Sequence, residues 1–270
     1  MNNAQFLRTA AFCISLAVLV GACSKKSASD NSTPTSEVKA PPATLGLDPF
    51  YKKYLDADGI PVISSEKVAD EALIRARDVV KNMIKMIPDA KAKMIANKIR
   101  VGIIGKTERP TQMPEYRDLY TAFPGVDWDN RGRGYGATLQ RPLTSSGEEN
   151  LMCDITDRYK GEEILTHEFA HGIHELGLRF SNPNFDSELL AAYNNAKAKG
   201  LWKNTYAISD VREYWAEGLQ NWFNCNLKAV PANGIHNEIN NRAGLETYDV
   251  MLFNLIKKYF TSENIKHGCI

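Results

Sequence analysis

The chain has 270 residues, of which 43% are hydrophobic and 24% charged, and its formal net charge is +1. That length and composition fit a globular protein of one large or two small domains, and exclude a chain that is disordered throughout. A charge this close to zero, without interleaved basic and aromatic residues, also argues against nucleic-acid binding.

At the N-terminus, Arg8 precedes an apolar run over residues 10–20, too short for an ordinary membrane span and suited to the core of a signal peptide. The run ends Val20-Gly21-Ala22-Cys23-Ser24. Small residues immediately before a cysteine resemble a bacterial lipobox. The resemblance implies that residues 1–22 are removed and that Cys23 becomes a lipidated first residue. The protein is then exported and lipid-anchored in the bacterial cell envelope; cleavage near Ala22 without lipid, giving a soluble secreted protein, is the alternative. Residues 23–45 are rich in Ser, Thr, Pro, Ala and Lys, a composition that cannot bury a core and predicts a flexible linker. The folded domain is expected over 46–270.

Beyond the linker, residues 60–63 form a short apolar run expected as an edge strand, because Pro61 is tolerated there. Ser64 or Ser65 is expected to cap a helix with an apolar stripe from Val68 to Met86, stopped by Pro88. A second helix follows over residues 89–97, and a strand over 99–104. Residues 107–134 are polar and proline-bearing, and predict an irregular surface loop of the kind that often serves function. The glycines of residues 131–139 would let another backbone approach closely, which suggests an edge strand beside a cleft. Residues 149–153 are a further strand candidate. Helices are expected over 159–177, 187–199, 211–223 and 248–260, with a linker at 205–209 and a loop at 226–243. Strands and helices first, then mostly helices, predict an α+β fold.

The helix expected over 159–177 carries His167-Glu168-Phe169-Ala170-His171. Positions four apart share a helix face, so His167 and His171 can aim two imidazoles at one point. That suits a tetrahedral Zn2+ ion, with Glu168 beside the first ligand as a base for water. A catalytic zinc needs a third protein ligand. His174 lies a turn beyond His171, too far along the axis to join, and is expected to be structural. Glu213 and Glu217 share a face of a later helix. Either can be the ligand while the other holds a ligand histidine in place. Asp210 and Glu213 also have capping-box spacing, which would leave Glu217 as the ligand.

His167-Glu168-Phe169-Ala170-His171 followed by Glu213-Tyr214-Trp215-Ala216-Glu217 resembles the gluzincin pattern, and is especially similar to the anthrax lethal factor-like metallopeptidases. The close match covers residues 160–223. Ala170 replaces the glycine of the toxin that gives the family its name, and the toxin domains have no counterpart, so no toxin role is implied. The resemblance implies a zincin-like fold, with a small mixed sheet packed on the metal helix and a helical C-terminal subdomain. It implies that His167, His171 and Glu213 bind zinc, that Glu217 supports the site, and that Tyr206, seven residues before Glu213, faces the reacting water. Looser similarity of 48–62, 141–153 and 212–226 to exported zincin-like proteins supports the architecture. The expected function is a zinc metallopeptidase acting on a peptide or protein substrate. A surface-binding lipoprotein with a structural or inactive zinc site, and a cell-wall peptide amidase, are the alternatives. Of the cysteines, Cys153, Cys225 and Cys269 remain after export, and a Cys153–Cys225 disulfide is expected, since each lies near the end of an element flanking the site.

Overall fold

The computed structural model describes residues 37–261. The signal segment 1–22, the lipidation site Cys23 and Cys269 lie outside the described residues. Residues 37–45, expected in the linker, are joined to the domain: the Lys39 N–H donates to the Tyr54 carbonyl at 3.2 Å and the reverse bond is 2.7 Å. An ion pair also links Glu37 to Arg77.

Strands β1 (Lys53–Ala57) and β2 (Ile60–Ser64) form an antiparallel hairpin. Its two-residue turn is Asp58-Gly59, both at positive φ (52° and 98°), the conformation such tight hairpins require. Helices α1 (Asp70–Ile84) and α2 (Pro88–Ala96) follow, then β3 (Arg100–Ile104). Residues 107–134 hold the short helices α3 (Leu119–Ala122) and α4 (Trp128–Arg131), leading into β4 (Gly134–Tyr135) and β5 (Leu143–Gly147). After α5 (Glu148–Leu151) comes α6 (Ile164–Gly172), which runs on as a π-helix through Ile173–Leu178 into α7 (Arg179–Ser181). Four helices complete the described chain: α8 (Phe185–Ala198), α9 (Val211–Trp222), α10 (Arg242–Tyr248) and α11 (Val250–Lys257).

Among the described residues the five strands form one mixed sheet in the order β1-β2-β3-β5-β4, with β2, β3 and β5 parallel and both edges antiparallel. The α+β class is as expected. Side chains alternate across the sheet. Leu55, Val62, Val101 and Ile103 face the main core with α1, α6, α8 and α9, whereas Tyr54, Ile63, Ile104 and Leu143 face a smaller one. The smaller core is closed by Met113, Tyr116 and Leu119, so residues 107–134 are only partly a surface loop.

Several boundaries differ from expectation. Strand β2 is interior, yet Pro61 costs no ladder bond toward β3, because pairing with that strand starts at Val62↔Val101. The α1 N-cap is Ala69, whose N–H donates to Glu148 Oε1 at 2.8 Å, in place of a serine cap. Pro88 opens α2 at its first turn, where its missing N–H costs nothing. Residues 149–153, expected as strand, form none: the first three lie in helix α5 and the other two in the turn after it. Helix α6 starts at Ile164, not near Tyr159. Gly161 turns the chain at φ 94°, and Asn150 Oδ1 accepts the Ile164 N–H at 2.9 Å. Gly177 does not stop the helical run, which continues to Ser181.

The expected Cys153–Cys225 disulfide is not formed. Cys225 is a free thiol buried in the main core, and donates to the Gln220 carbonyl at 3.5 Å. Cys153 lies exposed on the turn after α5 and is disulfide-bonded. Cys225 is therefore not the partner of Cys153.

Candidate metal centre

Helices α6 and α9 cross with their functional faces together. Trp215 Nε1 donates to the Ala170 carbonyl at 3.0 Å, and Phe169 and Trp215 are fully buried between the layers. Asp210 caps α9, accepting from the backbone N–H groups of Arg212 and Glu213 at 2.6 and 3.3 Å. The cap expected from the sequence therefore exists. The Glu213 side chain nevertheless turns to the histidines: its Oε2 lies 3.0 Å from His167 Nε2 and 3.2 Å from His171 Nε2. The two Nε2 atoms are 3.3 Å apart.

Three donor atoms thus converge from two helices. Donors on a four-coordinate ion with bonds of about 2.0–2.1 Å sit about 3.3 Å apart, so the triangle has the right edges for such an ion. Glu168 also lies in this cluster, since ligand atoms of His167, Glu168 and His171 all fall within 4.8 Å of one another. Glu213 Oε2 lies within the same limit of both rings, so two carboxylates, Glu168 and Glu213, stand beside one histidine pair.

Without an ion the same atoms share a proton. Burial pulls the His167 pKa down, but the Glu213 hydrogen bond and the charges of Glu168, Glu217 and Glu213 outweigh it and push the value up to about 10. Glu213 is held well below the usual carboxylate range by the two histidines, against the effect of its own burial. Burial raises the Glu168 carboxyl, with the histidine charges opposing.

On the far side of His167, Nδ1 lies 2.9 Å from Gln220 Oε1 and 3.6 Å from Glu217 Oε1. Gln220 Nε2 donates to the Glu163 carbonyl at 3.1 Å, and Glu217 Oε2 accepts from Asn226 Nδ2 at 2.8 Å. Both supports are fixed, so the ring plane is fixed. Gln220 had no part in the sequence expectation. Its signal was available: it sits seven residues after Glu213, two helical turns on, at the same face. Tyr206, at the single helical turn Tyr206–Ile208, stacks its ring on His167, with centroids 6.2 Å apart and 24° between planes. Its hydroxyl reaches Glu213, and burial raises its pKa. His174 does not join the cluster: its Nε2 lies 2.8 Å from Asp186 Oδ1.

The edge strand β4 runs against α6 because it is built from glycines. A Cβ on Gly136 would sit 2.5 Å from His171 Cβ, and one on Gly134 would meet Ile164 Cγ2 at 2.7 Å. The approach expected for residues 131–139 is therefore present. Beside the donors lies a cleft of about 810 Å³, walled by Phe123, Trp128, Tyr135 and Tyr159. Arg133 also lines this cleft but is structural, pairing with Glu149 at 2.6 and 2.9 Å.

No family model matches this chain, and no curated protein matches it either.

Proposed function

We propose that the chain is a zinc-dependent metallopeptidase with a zincin-like site. His167, His171 and Glu213 are the metal ligands, Glu168 the general base and Tyr206 the oxyanion donor. The observation that carries this reading is the convergence of two Nε2 atoms and one carboxylate oxygen at 3.0, 3.2 and 3.3 Å, with a second carboxylate alongside and a cleft in front.

Bound zinc would polarise a scissile carbonyl and bring the pKa of water to about 7. The rest of the work falls to the chain. The Glu168 carboxylate accepts a proton from the attacking water and returns it to the leaving amine. Burial raises its pKa, which makes it a stronger base than a free glutamate. The raised pKa of Tyr206 keeps its hydroxyl protonated, as a hydrogen-bond donor to the developing oxyanion must be. Gln220 and Glu217 hold the His167 ring. An ion with a purely structural role has no use for a base beside its ligands, and this favours an enzyme over a binding lipoprotein.

A cleavage screen over peptide and cell-wall libraries, with and without chelator and with zinc content measured in parallel, tests the reading. Chelator-sensitive peptide cleavage is expected. Stoichiometric zinc with no turnover on any library would favour the binding lipoprotein, and cleavage confined to cell-wall bridges the amidase. Lipid anchoring through Cys23 is proposed on the lipobox-like sequence alone. A clickable fatty acid should label the wild type and not Cys23→Ala.

A further inference from the structure

The cleft beside the metal donors carries a cation that the proposed chemistry does not use. Arg131 ends α4 and lines the cleft with its side chain exposed. Its guanidinium lies over the Trp128 ring, 5.6 Å from the centroid, three residues away on the same short helix. Trp128 is itself held by a tilted contact to Phe123 and an edge contact to Tyr135, with centroids 5.8 Å away in each case, and by its Nε1–H donating to the Phe123 carbonyl at 3.3 Å. A planar cation stacked on a fixed indole is oriented before any ligand arrives.

The other arginines of the cleft are taken. Arg133 pairs with Glu149, Arg141 with Asp118 at 2.7 Å, and Arg212 with Asp210 at 2.7 Å. Among the described residues Arg131 forms no ion pair. Asp129, the acid on its own helix, accepts instead from the Thr111 N–H and Oγ1 at 3.0 and 2.7 Å. Arg131 lines the same cleft as Glu168 and Tyr206. An unpaired guanidinium lining the same cleft as the reacting groups is suited to an oxyanion bound by a forked pair of N–H groups, and in a peptide that oxyanion is a carboxylate.

We propose that Arg131 is a specificity residue that binds a carboxylate of the peptide substrate close to the bond being cut. This rests on the peptidase reading and deepens it. The carboxylate has two sources: an acidic side chain within the peptide, or the α-carboxylate of its last residue.

The test measures binding, so that it does not depend on turnover. Zinc-loaded protein carrying Glu168→Gln is titrated with three fluorescent peptide pools in an anisotropy assay. The pools differ only in one carboxylate: amidated and acid-free, amidated with one internal Glu, or acid-free with a free C-terminus. One carboxylate pool should bind about tenfold more tightly than the neutral pool, and this ratio should shrink with added salt. Adding Arg131→Gln should bring the ratio to about one, whereas Arg131→Lys should keep part of it. Preference for the internal-Glu pool assigns the side chain, and preference for the free terminus assigns the α-carboxylate. Equal binding of all three pools, or a preference that survives Arg131→Gln, overturns the proposal. A wild type that cuts peptides but shows no such ratio leaves the peptidase standing and removes Arg131. A ratio without any turnover in the wild type does the reverse.

Discussion

One continuous helical run carries two histidine–carboxylate pairs, seven residues apart, and they differ in kind. His167 meets Glu213 at 3.0 Å and His174 meets Asp186 at 2.8 Å, so pair distance does not separate them. The surroundings do. A second imidazole and a second carboxylate converge on His167, and two side chains of α9 hold its other nitrogen. His174 packs edge-on against Phe185, its Nδ1 has no partner among the described residues, and its acid is shared with Arg179. The electrostatics follow. The acids around His167 push its pKa up to about 10 despite burial, whereas burial wins at His174 and lowers it. A histidine beside an acid is thus not a metal site, and the convergence of a third donor makes the difference.

The sharpest way to break this comparison is to remove each acid in turn. Glu213→Ala should lose most of the bound zinc, whereas Asp186→Ala should keep it in full. Because Asp186 is partly exposed, its loss should cost about 1 kcal/mol of stability, seen as a small fall in Tm. Metal analysis beside thermal melts decides. An Asp186→Ala protein that loses its zinc would mean that the two pairs are not distinct in function.

Next in size is Glu168→Gln, which removes the base and no ligand. Turnover should fall about 10²–10⁴-fold at unchanged zinc content. Full zinc with undiminished turnover would eliminate the mechanism. Tyr206→Phe keeps the ring on His167 and deletes one donor, so a loss of about 10²–10³-fold in kcat, with KM little changed, is expected. Wild-type kcat in this variant would discard the tyrosine and leave Glu168 in place. Gln220→Ala frees the His167 ring on its far side and should weaken zinc affinity about 10–100-fold, read in a competition titration with a chromophoric chelator. Glu217→Ala should act in the same direction, and an emptied site in that variant with a full one in Glu213→Ala would exchange the two roles.

A last effect is read with pH. His167 in the ion-free protein holds its proton up to about pH 10, so metal must displace it at neutral pH. Zinc affinity should therefore rise about tenfold per pH unit over the neutral range and level off above about 10. Stability has the opposite sign. A histidine raised from 6.5 to about 10 contributes stability that is full below 6.5 and lost as pH rises through about 10. The Tm of chelator-treated protein should fall over that window, and that of zinc-loaded protein should follow it less. A flat affinity profile would show that no proton is displaced.

Much of the site was legible because helical spacing is local. His167 and His171 four apart, and Glu213 and Glu217 four apart, share faces whatever the tertiary structure does, and the Asp210 cap is written in the same few residues. Helices α8 and α9 and strand β3 came out close to their expected limits for the same reason, a clear apolar period. The hairpin was also written locally, in Asp58-Gly59, although β1 was not read from it. Strand β5 was missed because Leu143-Thr144-Ser145-Ser146-Gly147 is polar in composition yet wholly buried, which only a central place in the sheet explains.

What the sequence by itself determined, then, was the existence of two helices with ligand-bearing faces. Which acid meets the imidazoles was decided only by the crossing of α6 and α9, set by Trp215 on the Ala170 carbonyl and by the glycines that admit β4. The same crossing placed Gln220 behind His167 and buried Cys225 away from the exposed Cys153. Local spacing fixes directions around one helix axis. Distances between side chains tens of residues apart depend on how the layers pack, and that is a property of the whole core.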